Sequence, residues 1–381
     1  MKITIVLGAF FPVPPTMGGG VEKVWFSLAP EFVKRGHDVV MVSRKLPELR
    51  REETINGVKH LRVDGFDPPR SLVWLKFLDL IYSLRTMSIL RSRRMSELPD
   101  ADIIVTNTFW LPILLRNSKH GRVYVHVARY PKGQMRYYGN AARLQALSRV
   151  IANAIIAQAP RLRAKVRILP NPLPFRTSTA SNTPRNNTIL FVGRVHPEKG
   201  IELLLRAFVC LPREFLSTWK ANIVGSHEIH LGGGGKVFFQ AMQQLGKQSP
   251  LQVQWLGPIF DEAELRAQYR SSMIFAYPSL AETGEAFPLA PLEAMAEGCV
   301  PLVSNLACFN DYIEDGVTGF VFDRFGGYPA LGNRLADLLR LDRNALAKIA
   351  HAARAKAAEF AIEPVAQRYL EDFASVLVGR E

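Results

Sequence analysis

Short apolar runs recur along this chain at helix-length intervals, stop at a polar stretch, and then start again. In the first half they fall at residues 3–7, 39–42, 102–106, 123–127, 154–157 and 166–169. Between the first two, residues 20–35 carry apolar side chains at helical spacing and end before Gly36. Short strands separated by helices build βαβ units and a parallel sheet covered on both faces. Residues 176–187 break the rhythm with Thr, Ser and Asn, the composition of a loop or an interdomain linker. Apolar runs then resume at 189–192, 221–224, 251–255, 273–277 and 300–303, with helical stretches at 200–210, 262–270 and 288–297. From about residue 333 the chain is rich in Ala, Leu and Arg and reads as helix. A chain of 381 residues is long enough for two or three domains, each with its own core. The expected class is α/β, with two Rossmann-like domains at 1–172 and 173–360 and a terminal segment at 361–381.

Charge is placed unevenly. Residues 1–180 hold 29 Lys and Arg against 12 Asp and Glu, a net of +17; residues 181–381 hold 19 against 22, a net of −3. A basic half points to an anionic partner: nucleic acid, an anionic membrane or a phosphorylated substrate. No zinc-finger spacing, RNP-type aromatic motif or recognition-helix signature accompanies it, which argues against nucleic acid. Residues 70–95 interleave Leu72, Val73, Leu75, Phe77, Leu78, Leu80, Ile81, Leu84, Ile89 and Leu90 with Lys76, Arg85, Arg91, Arg93 and Arg94. Such a segment either lies in the headgroup plane of an anionic membrane or forms core helices with solvated Arg side chains. With Lys76, Asp79 and Arg85 inside it, it does not span. The opening Met1-Lys2-Ile3-Thr4-Ile5-Val6-Leu7 reads as a first strand rather than a signal peptide. Cys210, Cys299 and Cys308 have no C-x-x-C spacing and fit free thiols in a reducing compartment. The location expected is cytoplasmic, and peripheral on the inner face of the membrane under the first of the two readings of residues 70–95.

The segment Glu285-Ala286-Phe287-Pro288-Leu289-Ala290-Pro291-Leu292-Glu293-Ala294-Met295-Ala296-Glu297-Gly298 sets two carboxylates eight positions apart. Glu285 falls in a turn-rich stretch behind Pro278-Ser279. Glu293 falls in a helix that Pro288 can start and Gly298 can close. A helix N-terminus attracts diphosphate and flanking carboxylates hold hydroxyls, which together suit a nucleotide sugar. Upstream, Gly193-Arg194-Val195-His196-Pro197-Glu198-Lys199-Gly200 follows one strand and precedes a helix. Arg194 and Lys199 can converge there on a diphosphate, one as a fork and one as a point charge. Gly18-Gly19-Gly20 lies after the first strand and opens a helix, where glycines let backbone N–H groups approach a phosphate. Asp100-Ala101-Asp102 matches the metal-binding D-x-D pattern but precedes its strand, the wrong end of a sheet, and reads as a surface turn. No other His, Cys or carboxylate cluster has metal spacing. Gly232-Gly233-Gly234-Gly235-Lys236 lacks Walker A spacing and reads as a flexible loop near the nucleotide.

These motifs resemble the retaining glycosyltransferases of family 4, whose E-x7-E motif commonly reads E-G-F-G-L-x-x-L-E-A-M-A-x-G and whose cation motif reads G-R-x-x-x-E-K-G. The likeness extends from Tyr277-Pro278-Ser279 to Glu314-Asp315-Gly316-Val317-Thr318-Gly319-Phe320. The chain departs at Ala286 and Pro288, where Gly is common, and at Gly225-Ser226-His227, where relatives carry a glycine-rich turn. The resemblance implies the GT-B architecture: two facing Rossmann-like domains, an interdomain cleft, and a final helix crossing back onto the first domain. It implies that Arg194 and Lys199 neutralise the departing diphosphate, Glu285 holds donor-sugar hydroxyls and Glu293 the nucleotide ribose. Phe287, Leu289, Gly19 and Gly20 join the donor-binding set. His126, after a strand in the first domain, would orient a sugar hydroxyl and the forming charge. Arg129, Lys132 and Arg136 either face a charged acceptor or form a solvated loop. The partners implied are a nucleotide-sugar donor as co-substrate and a glycan or lipid-linked acceptor, with no cofactor and no metal. A nucleotide-sugar 2-epimerase or hydrolase, or a non-catalytic nucleotide-sugar-binding protein, is the alternative on the same architecture.

Overall fold

The computed structural model describes residues 1–17, 19–69, 71–92, 100–116, 120–176 and 184–378. Gly18, Arg93, Arg94 and residues 177–183 of the polar stretch lie outside them. Two units result. The first holds Met1–Phe175 and the chain from Ile362; the second holds Arg176–Ala361.

Among the described residues of the first unit, the strands are β1 (Lys2–Val6), β2 (Asp38–Lys45), β3 (Glu52–Ile55), β4 (Val58–Asp64), β5 (Ile103–Thr106), β6 (Arg122–Val127), β7 (Arg143–Ala146) and β8 (Val166–Ile168). They form one sheet in the order β3-β4-β2-β1-β5-β6-β7-β8. All pairings are parallel except β3 with β4, a hairpin closed by Asn56 and Gly57, both at positive φ. That conformation is the one a two-residue hairpin turn requires. The helices are α1 (Gly20–Lys34), α2 (Leu72–Ser92), the single turn α3 (Leu111–Leu114) and α4 (Arg149–Gln158). Here one expectation is corrected. Residues 154–157, read as a strand, are the last turn of α4; Ser148 caps that helix by accepting from the Ile151 N–H. A four-residue apolar run does not distinguish a strand from the inward face of a helix.

The terminal helix, Ile362–Val378, belongs to this unit's core. Its Tyr369 and Phe373 are fully buried. They meet Trp25 and Phe32 of α1 and Tyr124 of β6 edge-on. Such rings bury about 150–250 Å² each. Asp372 is buried beside them, and its carboxylate accepts from the Tyr124 hydroxyl at 2.8 Å and pairs with Arg143 at 2.9 Å.

In the second unit the strands are β9 (Asn186–Val192), β10 (Lys220–Val224), β11 (Gln252–Gly257), β12 (Ser272–Tyr277), β13 (Val300–Ser304) and β14 (Phe320–Phe322). They are parallel throughout, in the order β11-β10-β9-β12-β13-β14. Helices α5 (Ile201–Ala207), α6 (Arg213–Leu216), α7 (Gly235–Gln248), α8 (Glu262–Ser271), α9 (Leu289–Ala296), α10 (Gly327–Arg340) and α11 (Arg343–Ala358) accompany them. Strand β12 is buried along its whole length, as a central parallel strand must be. The helix bearing the carboxylate motif, α9, ends at Gly298, whose φ of +84° provides the left-handed stop.

Candidate functional site

The strand order of the second unit reverses between β9 and β12: β10 and β11 lie on one side of β9, β12 and its followers on the other. Loops at such a switch point part at the carboxyl ends of the strands and leave a crevice where ligands bind. The two motifs singled out in the sequence leave these two strands. Residues 193–200 follow β9, and residues 278–288 follow β12. They approach so closely that a Cβ on Gly200 would stand 1.9 Å from the Pro278 carbonyl oxygen, and Gly200 has a φ of +71°.

At that contact Lys199 meets Glu285, Nζ to Oε1 at 2.6 Å. The same carboxylate oxygen accepts from the Tyr277 hydroxyl at 2.9 Å and from Ser279 Oγ at 2.8 Å. Lys199 and Glu285 are both buried, so the pair is desolvated and its hydrogen bonds are what make burial tolerable. Glu285 Oε2 takes none of these three bonds. Burial, then the Glu285 charge, push the Tyr277 hydroxyl well above its ordinary range, while Arg194 favours its ionised form. Tyr277 therefore stays protonated and donates. Arg194 is half-exposed at the rim, bonding Glu198 Oε1 at 2.5 Å and the Gly232 carbonyl at 2.7 Å. The structure thus brings Arg194, Lys199 and Glu285 together at the carboxyl ends of β9 and β12.

The other residues singled out are held differently. Glu293 is buried in α9 and accepts from the Tyr269 hydroxyl of α8 at 3.1 Å. The Phe287 ring turns into the core of the unit, 5.3 Å from Tyr312 and 5.6 Å from Phe360. A donor contact by Phe287 would go through its backbone, not its ring. Leu289 is half-buried at the first position of α9. Pro288 caps that helix and Pro291 sits in its first turn. Proline has no N–H, so only Leu289 and Ala290 offer free first-turn donors to an anion.

In the first unit the switch point lies between β1 and β5, and Gly19 and Gly20 follow β1. Gly19 has a φ of +99°, and a Cβ there would stand 2.3 Å from Oε2 of Glu22. Burial pushes the Glu22 carboxyl up to about 7, against its own backbone N–H and the Arg129 charge. A carboxyl held protonated at this helix start can donate to or accept from a hydroxyl. A Cβ on Gly20 would meet nothing within 4 Å.

His126, on β6, is buried. Gln145 donates to the Leu169 carbonyl through its Nε2, which leaves its Oε1 to accept from His126 Nδ1 at 2.5 Å. The ring is therefore the Nδ1–H tautomer, and its buried Nε2 is left without a partner. Burial pushes its pKa down to about 4, opposed by the Gln145 bond, so the imidazole is neutral at pH 7 and presents a bare acceptor. Arg129, Lys132 and Arg136 are exposed. Asp102 accepts from the Lys2 N–H at 2.7 Å at the amino end of β5. Among the described residues no three His, Cys, Asp or Glu side chains gather as metal ligands.

Sequence reasoning gave no role to Tyr277, Ser279, Glu198 and Tyr269, which hold the motif side chains. Tyr277 and Ser279 stood in the quoted match, but their value lies in where their hydroxyls point, and only the strand pairing decides that.

Two family models match the chain: Glycosyltransferase Family 4 over residues 18–175 and Glycosyl transferases group 1 over residues 176–356. A lipopolysaccharide 1,2-N-acetylglucosaminetransferase from Salmonella typhimurium is 23% identical over 335 residues, 84% of each chain. Spore coat protein SA of Bacillus subtilis is 24% identical over 368 residues, 89% of this chain and 90% of that one. Among solved structures, Anabaena HepE in complex with UDP and glucose superposes with a TM-score of 0.72 at 18% identity, over 98% of this chain and all of that one. That likeness shows the fold. The chain belongs to the GT-B glycosyltransferases of family 4.

Proposed function

We propose that this family 4 enzyme transfers a sugar, with retention of anomeric configuration, from a nucleotide-diphosphate sugar onto an acceptor in surface polysaccharide or lipopolysaccharide assembly. The observation that carries the reading is the convergence of Arg194, Lys199 and Glu285 at the β9–β12 switch point. A lysine ammonium has three N–H donors; one is spent on Glu285, and the others suit phosphate oxygens. Arg194 supplies a second cation. Together they stabilise charge as the bond between the anomeric carbon and the diphosphate breaks, a contribution of a few kcal/mol per preorganised contact. The acceptor hydroxyl attacks from the face the diphosphate leaves, and its proton passes to the departing phosphate. Glu285 holds donor-sugar hydroxyls and Glu293 the ribose. His126 Nε2 accepts from a sugar hydroxyl, and the Gly19–Gly20 backbone lets a ligand approach closely. UDP in a structural neighbour and lipopolysaccharide in a relative's name support the donor and acceptor classes.

The test is product analysis with UDP-, GDP- and ADP-sugars, with and without lipid-linked glycan acceptors. Acceptor-dependent release of the nucleoside diphosphate with an α-linked product from an α-donor supports the reading. Free sugar or a 2-epimer formed without acceptor would select the alternative chemistry. Turnover unaffected by EDTA is expected, because Asp102 is engaged at the amino end of its strand.

We also propose that α2 brings the enzyme to an anionic membrane carrying its acceptor. The helix is inverted: it buries Asp79, Tyr82, Ser83 and Thr86, and exposes Leu72 (65%), Val73 (77%), Trp74 (58%) and Phe77 (49%). Exposed Lys76 lies among them, and the net of +17 over residues 1–180 complements anionic lipid. Among the described residues no helix is long and apolar enough to cross a membrane. Trp74→Ser with Phe77→Ser should abolish sedimentation with phosphatidylglycerol vesicles. Sedimentation equal to wild type, or equal binding to neutral vesicles, would discard the idea.

A further inference from the structure

The four glycines at 232–235 have no Walker spacing, yet the structure builds them tightly against the site. The Gly234 N–H donates to the Val195 carbonyl at 2.9 Å, and the Val195 N–H donates to Ser226 at 2.9 Å, so the loop is zipped to the residue that follows Arg194. The Gly233 N–H donates to Glu228 and the Gly235 N–H to His227, each at 2.8 Å. A Cβ on Gly233 would stand 2.2 Å from the His227 carbonyl carbon, so the fold of the loop needs bare backbone there. At its tip, Gly232 has a φ of +79°, and a Cβ would stand 2.8 Å from Arg194 Nη1 and 3.2 Å from its Cδ. The Gly232 carbonyl takes one guanidinium nitrogen and the Glu198 carboxylate the other.

We propose that the four-glycine loop, through the Gly232 carbonyl, is the positioning element of Arg194, acting with Glu198 as a two-sided clamp on the guanidinium. A long arginine at the rim of a site, more than two-fifths exposed, would otherwise sample many rotamers. Held at both terminal nitrogens, it presents its remaining N–H groups in one orientation to a diphosphate, and little ordering remains to be done on binding. Gly232 and Glu198 act through Arg194; neither needs to touch the substrate. The inference rests on the role proposed above for Arg194.

Gly232→Ala places a methyl against the guanidinium and disfavours φ +79°. UDP, GDP and ADP are titrated calorimetrically against wild type, and the tightest binder is carried forward with its phosphate-free nucleoside as control. Gly232→Ala is expected to weaken the nucleoside diphosphate about tenfold and leave nucleoside affinity within twofold, since the loss is one charge-assisted contact. Glu198→Gln should behave alike. In an Arg194→Lys background, which lacks the planar fork, Gly232→Ala should add less than a twofold loss. A full tenfold loss in that background, or equal weakening of the nucleoside, overturns the clamp and leaves the site reading standing. Arg194→Ala with wild-type diphosphate affinity and rate overturns the site reading and the clamp together.

Discussion

Lys199 and Glu285, 86 positions apart in sequence, form an ion pair of 2.6 Å with 8% and 6% of their side chains exposed. Each is the partner that makes the other's burial tolerable. Lys199, proposed above to meet the departing diphosphate, thus also supports the fold of the second unit.

The first prediction separates these two roles. Lys199→Met and Glu285→Leu, made singly, should each lower stability toward urea by about 3–5 kcal/mol, the cost of stranding one buried charge. The double variant should recover part of that loss: an apolar pair needs no counter-charge, while the Tyr277 and Ser279 hydroxyls still lose the oxygen that accepts from them. All three should lose at least about a hundredfold in kcat/KM. Additive destabilisation in the double variant would show that the pair is not coupled.

Glu22 sets a pH dependence in the first unit. Burial raises its folded pKa to about 7 from 4.5, so the folded chain holds the proton more tightly than the unfolded one. Its favourable contribution is full below about pH 4.5 and is lost as pH rises through about 7. Glu22→Gln cannot ionise. Relative to wild type it should match near pH 4 and gain up to about 3 kcal/mol by pH 8. Urea midpoints taken across that range check this; parallel profiles would mean that the carboxyl is not held protonated.

Removing residues 362–381 should unfold the first unit and spare the second. Loss of Tyr369 and Phe373 alone removes two fully buried rings, each worth about 3–5 kcal/mol, against a domain stability of about 5–15 kcal/mol. Tryptic digestion of the truncated chain should degrade residues 1–175 and leave a protected fragment spanning 184–361. Protection of both regions would contradict the assignment of this helix to the first core.

Thiol labelling should find one reactive cysteine. Cys299 and Cys308 are buried, Cys210 half-buried. Burial pushes the Cys299 thiol up to about 12 and Cys308 higher still, and the thiolate is the reactive form. At pH 8, native protein should take up one equivalent of Ellman's reagent, lost in Cys210→Ser. Three equivalents would show that the second unit opens readily.

The sequence alone carried the α/β class and the placing of Arg194, Lys199, Glu285 and Glu293 in loop or helix. Strand and helix periods are local, and Gly and Pro mark their ends wherever the chain goes. Short apolar runs carried less, as residues 154–157 show: an inward helix face and a buried strand have the same composition. Pairing lay beyond reach. Whether Glu285 meets Lys199, whether Gly232 meets Arg194, and which face of α2 turns outward all follow from strand order, which is set by packing among residues far apart in sequence. The reversal between β9 and β12 makes two distant loops neighbours, and burial then favours pairing of Lys199, Glu285, Tyr277 and Ser279, because a desolvated charge or hydroxyl without a partner costs free energy.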